Sequence, residues 1–326
     1  MRVLALLVKM VISVFSVLLL CATVGAAGFP ERPIQVLVGW SVGSSNDSMD
    51  RAIAKPLSKI LGQPVIVQNV PGGGGALVLG RVRSEKPDGY TLFQTGLNMY
   101  SQIPLTRSVP FDPLKDFAYL AQHYPFEAYL YCRSESPWKT YEELIQYVKK
   151  NPKTVRYGTT GVGSTAHVMT EYLALKENLQ WIHVPYNSAV EAYTALLGGH
   201  VELAPVALAA ELEYVKTGRF RPLLCLNDKR LQLLPDLPTI VEKGYDFTCN
   251  NSYIWAVPAN TPKNIQKILE QALLQAMADP EVRECINKLN KVYEPLGSEA
   301  TTKMLIKDHQ VYGELMKKLG LGVYKK

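Results

Sequence analysis

Apolar residues along the chain follow two alternating patterns. Short runs of apolar residues predict strands, and longer stretches with apolar residues three and four positions apart predict amphipathic helices. The first series has predicted strands at 34–38, 65–68 and 90–94, with a helix at 48–61 and helical character at 76–85 between them. This alternation favours a mostly parallel sheet with helices on both faces.

The pattern restarts after residue 139. Thr140 and Glu143 have the spacing of a capping box and predict a helix that runs to residue 150. The remaining predicted elements are strands at 155–158, 181–184, 201–204 and 222–226, helices at 165–176 and 190–197, and three helices after 261–262, after 279–280 and after Ser298. The restart indicates a second α/β lobe.

Two places suit a crossing between lobes. A proline interrupts two apolar runs at 123–126, and a second crossing is expected at 249–252. We therefore predict a discontinuous first lobe of residues 28–125 and 251–326 and a second lobe of residues 126–250, with the last helices returning to the first lobe.

The first 27 residues have the pattern of a secretory signal peptide. Their only two charges are positive and near the start, an apolar run follows, and small residues suit cleavage after Ala26 or Ala27. Two other interpretations are an uncleaved membrane anchor and a lipoprotein signal with Cys21 as the acceptor. No later stretch approaches 18 apolar residues. We expect a soluble exported body in the periplasm.

Composition narrows the class of protein. The chain has 326 residues with 47% hydrophobic and 20% charged residues, which excludes a disordered protein. This length suggests two domains. The net charge of +6 is spread along the chain, so it gives little reason to expect nucleic-acid binding.

The reactive residues show no catalytic or metal-binding pattern. Four cysteines lie beyond the signal segment without any CxxC pair, and they would form one disulfide or stay as buried thiols: Cys132, Cys225, Cys249 and Cys285. The five histidines form no HExxH pair, and no GxSxG motif supplies a nucleophile. We predict no catalytic residue, no metal and no cofactor.

Two loops carry the candidate chemistry. Residues 39–47 and 158–167 are rich in small residues, and each joins a predicted strand to a helix. Such loops bind anions through backbone N–H groups at a helix N-terminus, and ligands of open α/β sheets lie at this end of the strands. The second loop resembles a phosphate loop but has Ser164 in place of the lysine. The glycine run 72–75 lacks a dinucleotide fingerprint and is a tight turn or a further ligand contact.

The predicted ligand contacts are Trp40, Ser41, Gly43, Ser44, Ser45, Asn46, Asp47, Asn98, Thr160, Gly161, Gly163, Ser164, Thr165 and His167. Two of them also have structural alternatives. Asp47 would cap a helix or orient donors, and His167 would cap a helix or pack.

An ordered series of motifs resembles the receptors of tripartite tricarboxylate transporters, which are also called the Bug family. The motifs run from residue 29 to the C-terminus and include PIQVLVGWSVGSSND, KPDGYTLFQTG, YGTTGVGSTAH and HVPYNSAVEAYTALLGGHVELA. The resemblance implies a two-lobed periplasmic-binding-protein fold of type 2 with a small organic carboxylate in the cleft. Loops 40–47 and 160–167 would hold it, mainly through backbone amides, hydroxyls and ordered water.

The chain departs from the family pattern near the ligand. Gly39 stands where the family usually has proline, Ser44 and Ser45 replace glycines, and residues 204–207 lack the family's usual aspartate. Loss of that acid would ease binding of a second carboxylate or of an apolar group.

The main hypothesis is therefore an extracytoplasmic solute receptor. It predicts saturable carboxylate binding without turnover. It would be a monomer that delivers its ligand to a permease of one large and one small membrane subunit. The alternatives are a membrane-anchored ligand sensor and an exported enzyme that uses the same cleft.

Overall fold

The computed structural model describes residues 28–72, 76–126, 128–186, 188–207, 211–230, 234–249, 251–289 and 291–324. The predicted signal segment 1–27 and the glycines at 73–75 lie outside these residues. Within the described ranges, no helix has the length and apolar character needed to cross a membrane.

Eleven strands occur in the described residues. They are β1 Ile34–Val38, β2 Val65–Asn69, β3 Thr91–Gly96, β4 Phe117–Phe126, β5 Ala128–Arg133, β6 Arg156–Thr159, β7 Ile182–Pro185, β8 Leu203–Ala207, β9 Phe220–Cys225, β10 Asn251–Pro258 and β11 Leu296–Gly297.

The α-helices are α1 Ser45–Leu61, α2 Ala76–Gly80, α3 Leu97–Ser101, α4 Ile103–Thr106, α5 Tyr141–Lys150, α6 Thr165–Glu177, α7 Ala189–Leu197, α8 Glu211–Lys216, α9 Lys263–Met277, α10 Pro280–Lys288 and α11 Ser298–Leu319. Short 3-10 helices lie at Arg81–Ser84 and Gly322–Tyr324.

The strands form two sheets, one in each lobe. The six-stranded sheet has the order β11-β4-β10-β3-β1-β2, and the five-stranded sheet has the order β7-β6-β8-β5-β9. Both sheets are mixed: most strands in each run in one direction, as the alternation predicts, and the remaining strands run antiparallel to them. Strands β1, β2 and β3 are parallel, but β10 runs antiparallel between β3 and β4. In the other sheet β5 is antiparallel to both of its neighbours, β8 and β9. Each sheet therefore contains strands of both directions.

Each sheet has a core on both faces because side chains alternate along a strand. In β1, Val36 and Val38 pack with helices α1 and α9, whereas Leu37 packs with α2 and α3 on the opposite face. In β5, Leu130 and Tyr131 likewise belong to different cores. This two-sided burial is typical of α/β lobes.

Helix α11 contacts both lobes. Leu305 belongs to a core of the six-stranded sheet, whereas Tyr312, Leu315 and Met316 belong to a core of the five-stranded sheet. Strand β4 ends at residue 126 and β5 begins at residue 128. The predicted lobe boundaries at 125 and 250 stay a prediction, and α11 holds the two lobes side by side.

Serine caps decide where the two helices at the cleft begin. Helix α1 was predicted to start at residue 48 but starts at Ser45, because Ser44 and not Asp47 is the N-cap. The Asp47 N–H donates to Ser44 Oγ over 3.1 Å. Ser164 caps α6 in the same way by accepting from the His167 N–H. Each cap satisfies a backbone donor that the helix itself leaves without a partner.

Candidate functional site

A cavity of 720 Å³ lies between the two lobes. Its size is within the range of small-molecule sites in proteins. Six of the predicted ligand contacts line it, and they come from both candidate loops and from α3: Trp40, Asn46, Asn98, Thr160, Gly163 and Ser164. The N-terminal ends of α1 and α6 therefore meet at one cavity, and both carry positive partial charge.

The buried carboxylate of Asp47 stabilises the first loop through hydrogen bonds. It is 2% exposed, its Oδ2 accepts from the Gly43 N–H over 2.9 Å, and its Oδ1 accepts from Asn69 Nδ2 over 2.7 Å. Arg51 forms an ion pair with the same carboxylate over 3.1 Å. Burial alone would raise the pKa of Asp47, but the bonds from Asn69, Gly43 and Arg51 outweigh it and lower the pKa. The carboxylate thus stays charged and fixes the loop.

Trp40 is oriented by a buried polar pair behind the cavity. Its Nε1 donates to Gln94 Oε1 over 2.7 Å, and Gln94 Nε2 lies 3.1 Å from His123 Nε2. Burial lowers the pKa of His123 to about 3, so the ring is neutral and accepts at Nε2. The ring of Trp40 also meets Tyr253 edge-to-face, with 5.5 Å between the centroids. These contacts fix one wall of the cavity.

His167 stabilises the second loop as Asp47 stabilises the first, by accepting a backbone hydrogen bond from a loop glycine. Its Nδ1 accepts from the Gly163 N–H over 3.0 Å, and its ring stacks on His183 at 3.9 Å. Burial and the neighbouring His183 lower the pKa of His167 to about 4. The neutral ring therefore shapes the loop. Gly163, at φ +78°, has a backbone conformation that favours glycine.

The other predicted contacts are not on the cavity wall. Ser44 and Asp47 support the first loop, His167 supports the second, and Thr165 donates to Gln102 over 2.6 Å. Ser41, Gly43 and Gly161 are not among the residues that line the cavity. The side chain of Ser45 is outside the described part of the structure. A direct ligand contact for any of these residues stays a prediction.

Sequence reasoning missed part of the wall. The missed residues are Gly96, Met99, Ile103, Thr106, Arg107, Val162, Asn251 and Tyr253. Most of them belong to the segment after β3 or to the start of β10, which no motif marked. Asn251 Oδ1 accepts from the Asn98 N–H over 3.3 Å, so β10 and α3 are joined at the cavity.

The described residues contain no group of three or more His, Cys, Asp or Glu side chains that could hold a metal ion. Four cysteines of the described residues are free: Cys132, Cys225 and Cys249 are buried, and Cys285 is partly buried. Of the two alternatives for the cysteines, a disulfide or thiols, the structure has thiols.

The cavity between the lobes is polar and can bind an anion through backbone amides, hydroxyls and side-chain amides.

Comparisons with known proteins agree with this architecture. A protein encoded in the gbd 5' region of Cupriavidus necator is 36% identical over 294 residues, which cover 90% of this chain and 89% of the relative. The crystal structure of a TctC solute-binding protein from Polaromonas has a TM-score of 0.78 and 29% identity, with 89% of this chain and all of that chain covered.

The fold is also shared with an R. palustris protein solved with adipate. It has a TM-score of 0.76 and 23% identity over 90% of this chain and 99% of that chain. The family model described as tripartite tricarboxylate transporter family receptor matches residues 49–321. These solute receptors have the same two-lobed fold, which confirms the resemblance read from the motifs. The chain belongs to the tripartite tricarboxylate transporter receptor family.

Proposed function

We propose that this chain is an extracytoplasmic receptor that binds a small organic carboxylate in the cavity between its lobes. The observation that carries the proposal is the meeting of two serine-capped helix N-termini, α1 and α6, at one cavity. Backbone N–H groups and the helix dipoles at such ends favour an anion. A fold neighbour solved with adipate supports the carboxylate class.

Membership of the family supports a role in transport. After cleavage of residues 1–27 the receptor works in the periplasm as a monomer, and it delivers its ligand to the large and small membrane subunits of a tripartite permease. Closure of the lobes over the ligand would present a new surface to the permease. Membership of a receptor family supports binding without turnover.

Thermal unfolding of the mature chain tests the proposal. The panel contains mono-, di- and tricarboxylates and aromatic acids, each beside its neutral amide. A ligand at about 100 times its dissociation constant adds about 2.7 kcal/mol to the free energy of unfolding, which raises Tm by several degrees. We expect one class of acid to raise Tm and its amide to have no effect. A folded protein that responds to no acid, or equally to acid and amide, contradicts the proposal.

A pair of variants places the site. Asn98 lines the cavity, whereas Asn287 is exposed on α10 and is not among the residues that line the cavity. Asn98→Ala should weaken binding of the acid found in the panel, and Asn287→Ala should leave it unchanged. Equal affinity of the two variants would place the ligand elsewhere.

A further inference from the structure

A buried carboxyl group lies behind the segment that forms one wall of the cavity. Asp308 on α11 is 4% exposed. Its Oδ2 accepts hydrogen bonds from Ser101 Oγ and from Gln102 Nε2, the latter over 3.2 Å. Residues on either side of these two donors in the sequence line the cavity: Asn98, Met99, Ile103, Thr106 and Arg107. Asp308 therefore binds the cavity wall without lining the cavity itself.

The same carboxyl group is two hydrogen bonds away from the start of α6. Gln102 donates to Asp308 through Nε2, and its Oε1 accepts from the hydroxyl of Thr165 over 2.6 Å. Thr165 is the first residue of α6, and it follows Ser164, which lines the cavity. The N-terminus of α6 favours an anion. A negative charge on Asp308 would therefore be separated from that end of α6 by the side chain of Gln102.

The groups around Asp308 do not offset its charge near neutral pH. Its two donors are a hydroxyl and an amide, which carry no charge. The titratable groups that face it are Cys249, just before β10, and Tyr312 on α11, and burial raises the pKa of both, so both are neutral. His309 is the next residue on α11, and its Nδ1 lies 2.6 Å from the Ser101 carbonyl oxygen.

Asp308 also changes its charge in a range where other buried groups near the cavity do not. Burial raises the pKa of Asp308 to about 7. Burial lowers the pKa of His123 to about 3, and burial together with His183 lowers the pKa of His167 to about 4. Both histidines therefore stay neutral from pH 6 to pH 8 or about that range.

Two negative charges near each other in a region that excludes water repel each other more strongly than they do in water. A proton on Asp308 removes one of the two charges when an anion enters the cavity. Because coupling between two binding sites is reciprocal, an anion that binds more tightly to the protonated chain also makes Asp308 bind its proton more tightly.

We propose that binding of an anion in the cavity is coupled to the uptake of a proton from solvent by Asp308, so that the receptor captures its ligand more tightly in acidic than in alkaline surroundings. This inference rests on the proposed function, since it needs a negatively charged ligand in the same cavity.

Calorimetric titration at pH values from about 6.5 to about 8.5 tests the inference, because carboxylate probes are ionised throughout this range. The probes are malate, adipate and the acid that raises Tm most in the thermal-unfolding panel. Titration at one pH in two buffers with different ionisation enthalpies, HEPES and imidazole, counts the protons that are taken up on binding.

The test variant is Asp308→Asn, which keeps an oxygen acceptor for Ser101 and Gln102 and cannot ionise. Asp308→Ser, with a smaller neutral side chain, is the second variant if Asp308→Asn does not fold. The matched control is His309→Gln, because histidine ordinarily changes its charge in the same pH range and His309 lies beside Asp308.

We expect the dissociation constant of the wild-type chain to rise about three- to sixfold from the lowest to the highest pH, with uptake of about 0.3–0.5 proton near the middle of the range. Asp308→Asn should bind with an affinity that is independent of pH and should take up no proton. His309→Gln should behave as the wild-type chain does.

Several results overturn the inference while the carboxylate receptor stands. One is a wild-type affinity that is constant or rises with pH. Another is an Asp308→Asn or Asp308→Ser variant that keeps the wild-type proton uptake, or a His309→Gln variant that loses it, because a different group then takes up the proton. If none of the probes binds the folded wild-type chain at any pH, the proposed function fails and this inference fails with it.

Discussion

The hydroxyl of Thr165 donates to Gln102 Oε1 over 2.6 Å and so joins the two lobes beside the cavity. Thr165 is the first residue of α6, and Gln102 lies between α3 and α4. Gln102 is 1% exposed and also donates to Asp308 on α11 over 3.2 Å. One amide side chain therefore connects three parts of the molecule that are distant in the sequence.

Removal of this bond should destabilise the chain. Thr165→Val leaves the buried Gln102 oxygen without its donor, which costs about 1–2 kcal/mol of unfolding free energy. Urea unfolding measures the change. The control is Thr302→Val on α11, where the hydroxyl donates to the Ser298 carbonyl of its own helix. Equal losses in the two variants would show that the bond between the lobes adds no stability.

The support of the first loop by Asp47 should be measurable as both stability and binding. Asp47→Ala removes the acceptor of Gly43, Asn69 and Arg51, so we expect a loss of about 1–3 kcal/mol and weaker carboxylate binding. Because the folded pKa of Asp47 lies below its usual value, the contribution is present at neutral pH and lost as the pH falls through the folded pKa.

Asp47→Asn keeps the shape of the side chain and removes its charge, which makes it the matched comparison. The Asp47→Asn variant should bind the carboxylate less tightly than wild type. Its amide nitrogen cannot accept the hydrogen bonds that Gly43, Asn69 and Arg51 donate to Asp47. Urea unfolding measures the stability, and calorimetric titration with the acid found in the thermal-unfolding panel measures the affinity. Wild-type affinity in Asp47→Ala would mean that the loop does not need this support.

Two glycines with similar backbone conformation separate strain from steric contact. Gly43 and Gly163 have φ of +80° and +78°, so alanine costs about 1 kcal/mol of strain at either position. A Cβ on Gly43 meets nothing within 4 Å, whereas a Cβ on Gly163 lies 2.6 Å from Thr106 Cγ2. Gly163→Ala should therefore lower the free energy of unfolding more than Gly43→Ala does, by about 1–3 kcal/mol.

Thr106→Ser removes the methyl group that a new Cβ would meet. In the Gly163→Ala background it should restore part of the lost unfolding free energy, and in the Gly43→Ala background it should restore none. Equal melting temperatures for the two alanine variants would contradict the close contact between Thr106 and the second loop.

Asp308 should make stability depend on pH. Burial raises its pKa to about 7, although bonds from Ser101 and Gln102 act in the opposite direction. The carboxyl group therefore binds its proton more tightly in the folded chain than in the unfolded chain, where the pKa is about 3.9. Its contribution is fully present below about pH 4 and is lost as the pH rises to about 7.

Asp308→Asn removes this titration. Its unfolding free energy relative to wild type should rise between about pH 4 and 7, by about 1–4 kcal/mol in total. Urea unfolding across this range gives the difference at each pH. The exposed Asp236→Asn is the control for a lost charge. A constant difference between Asp308→Asn and wild type would show that Asp308 does not titrate in this window.

The helices and loops at the cleft were largely predictable because their signals are local. Ser164 caps α6 and lines the cavity, as a small polar residue before a predicted helix indicates. The same kind of signal placed the first loop but misjudged its cap, since Ser44 and Asp47 both suit an N-cap. Only the geometry of the backbone separates a residue that caps the helix from one that braces the loop.

The rest of the site depends on contacts that no local pattern encodes. Asn251 and Tyr253 reach the cavity because β10 lies between β3 and β4, which also makes the sheet mixed. Arg107 reaches it because Leu105 packs into the other lobe's core. Hydrophobic burial is non-directional and acts between segments far apart in sequence, so the packing of the lobes selects these partners. Local sequence specifies the capped loops, and the packing of the whole chain places the charge beside them.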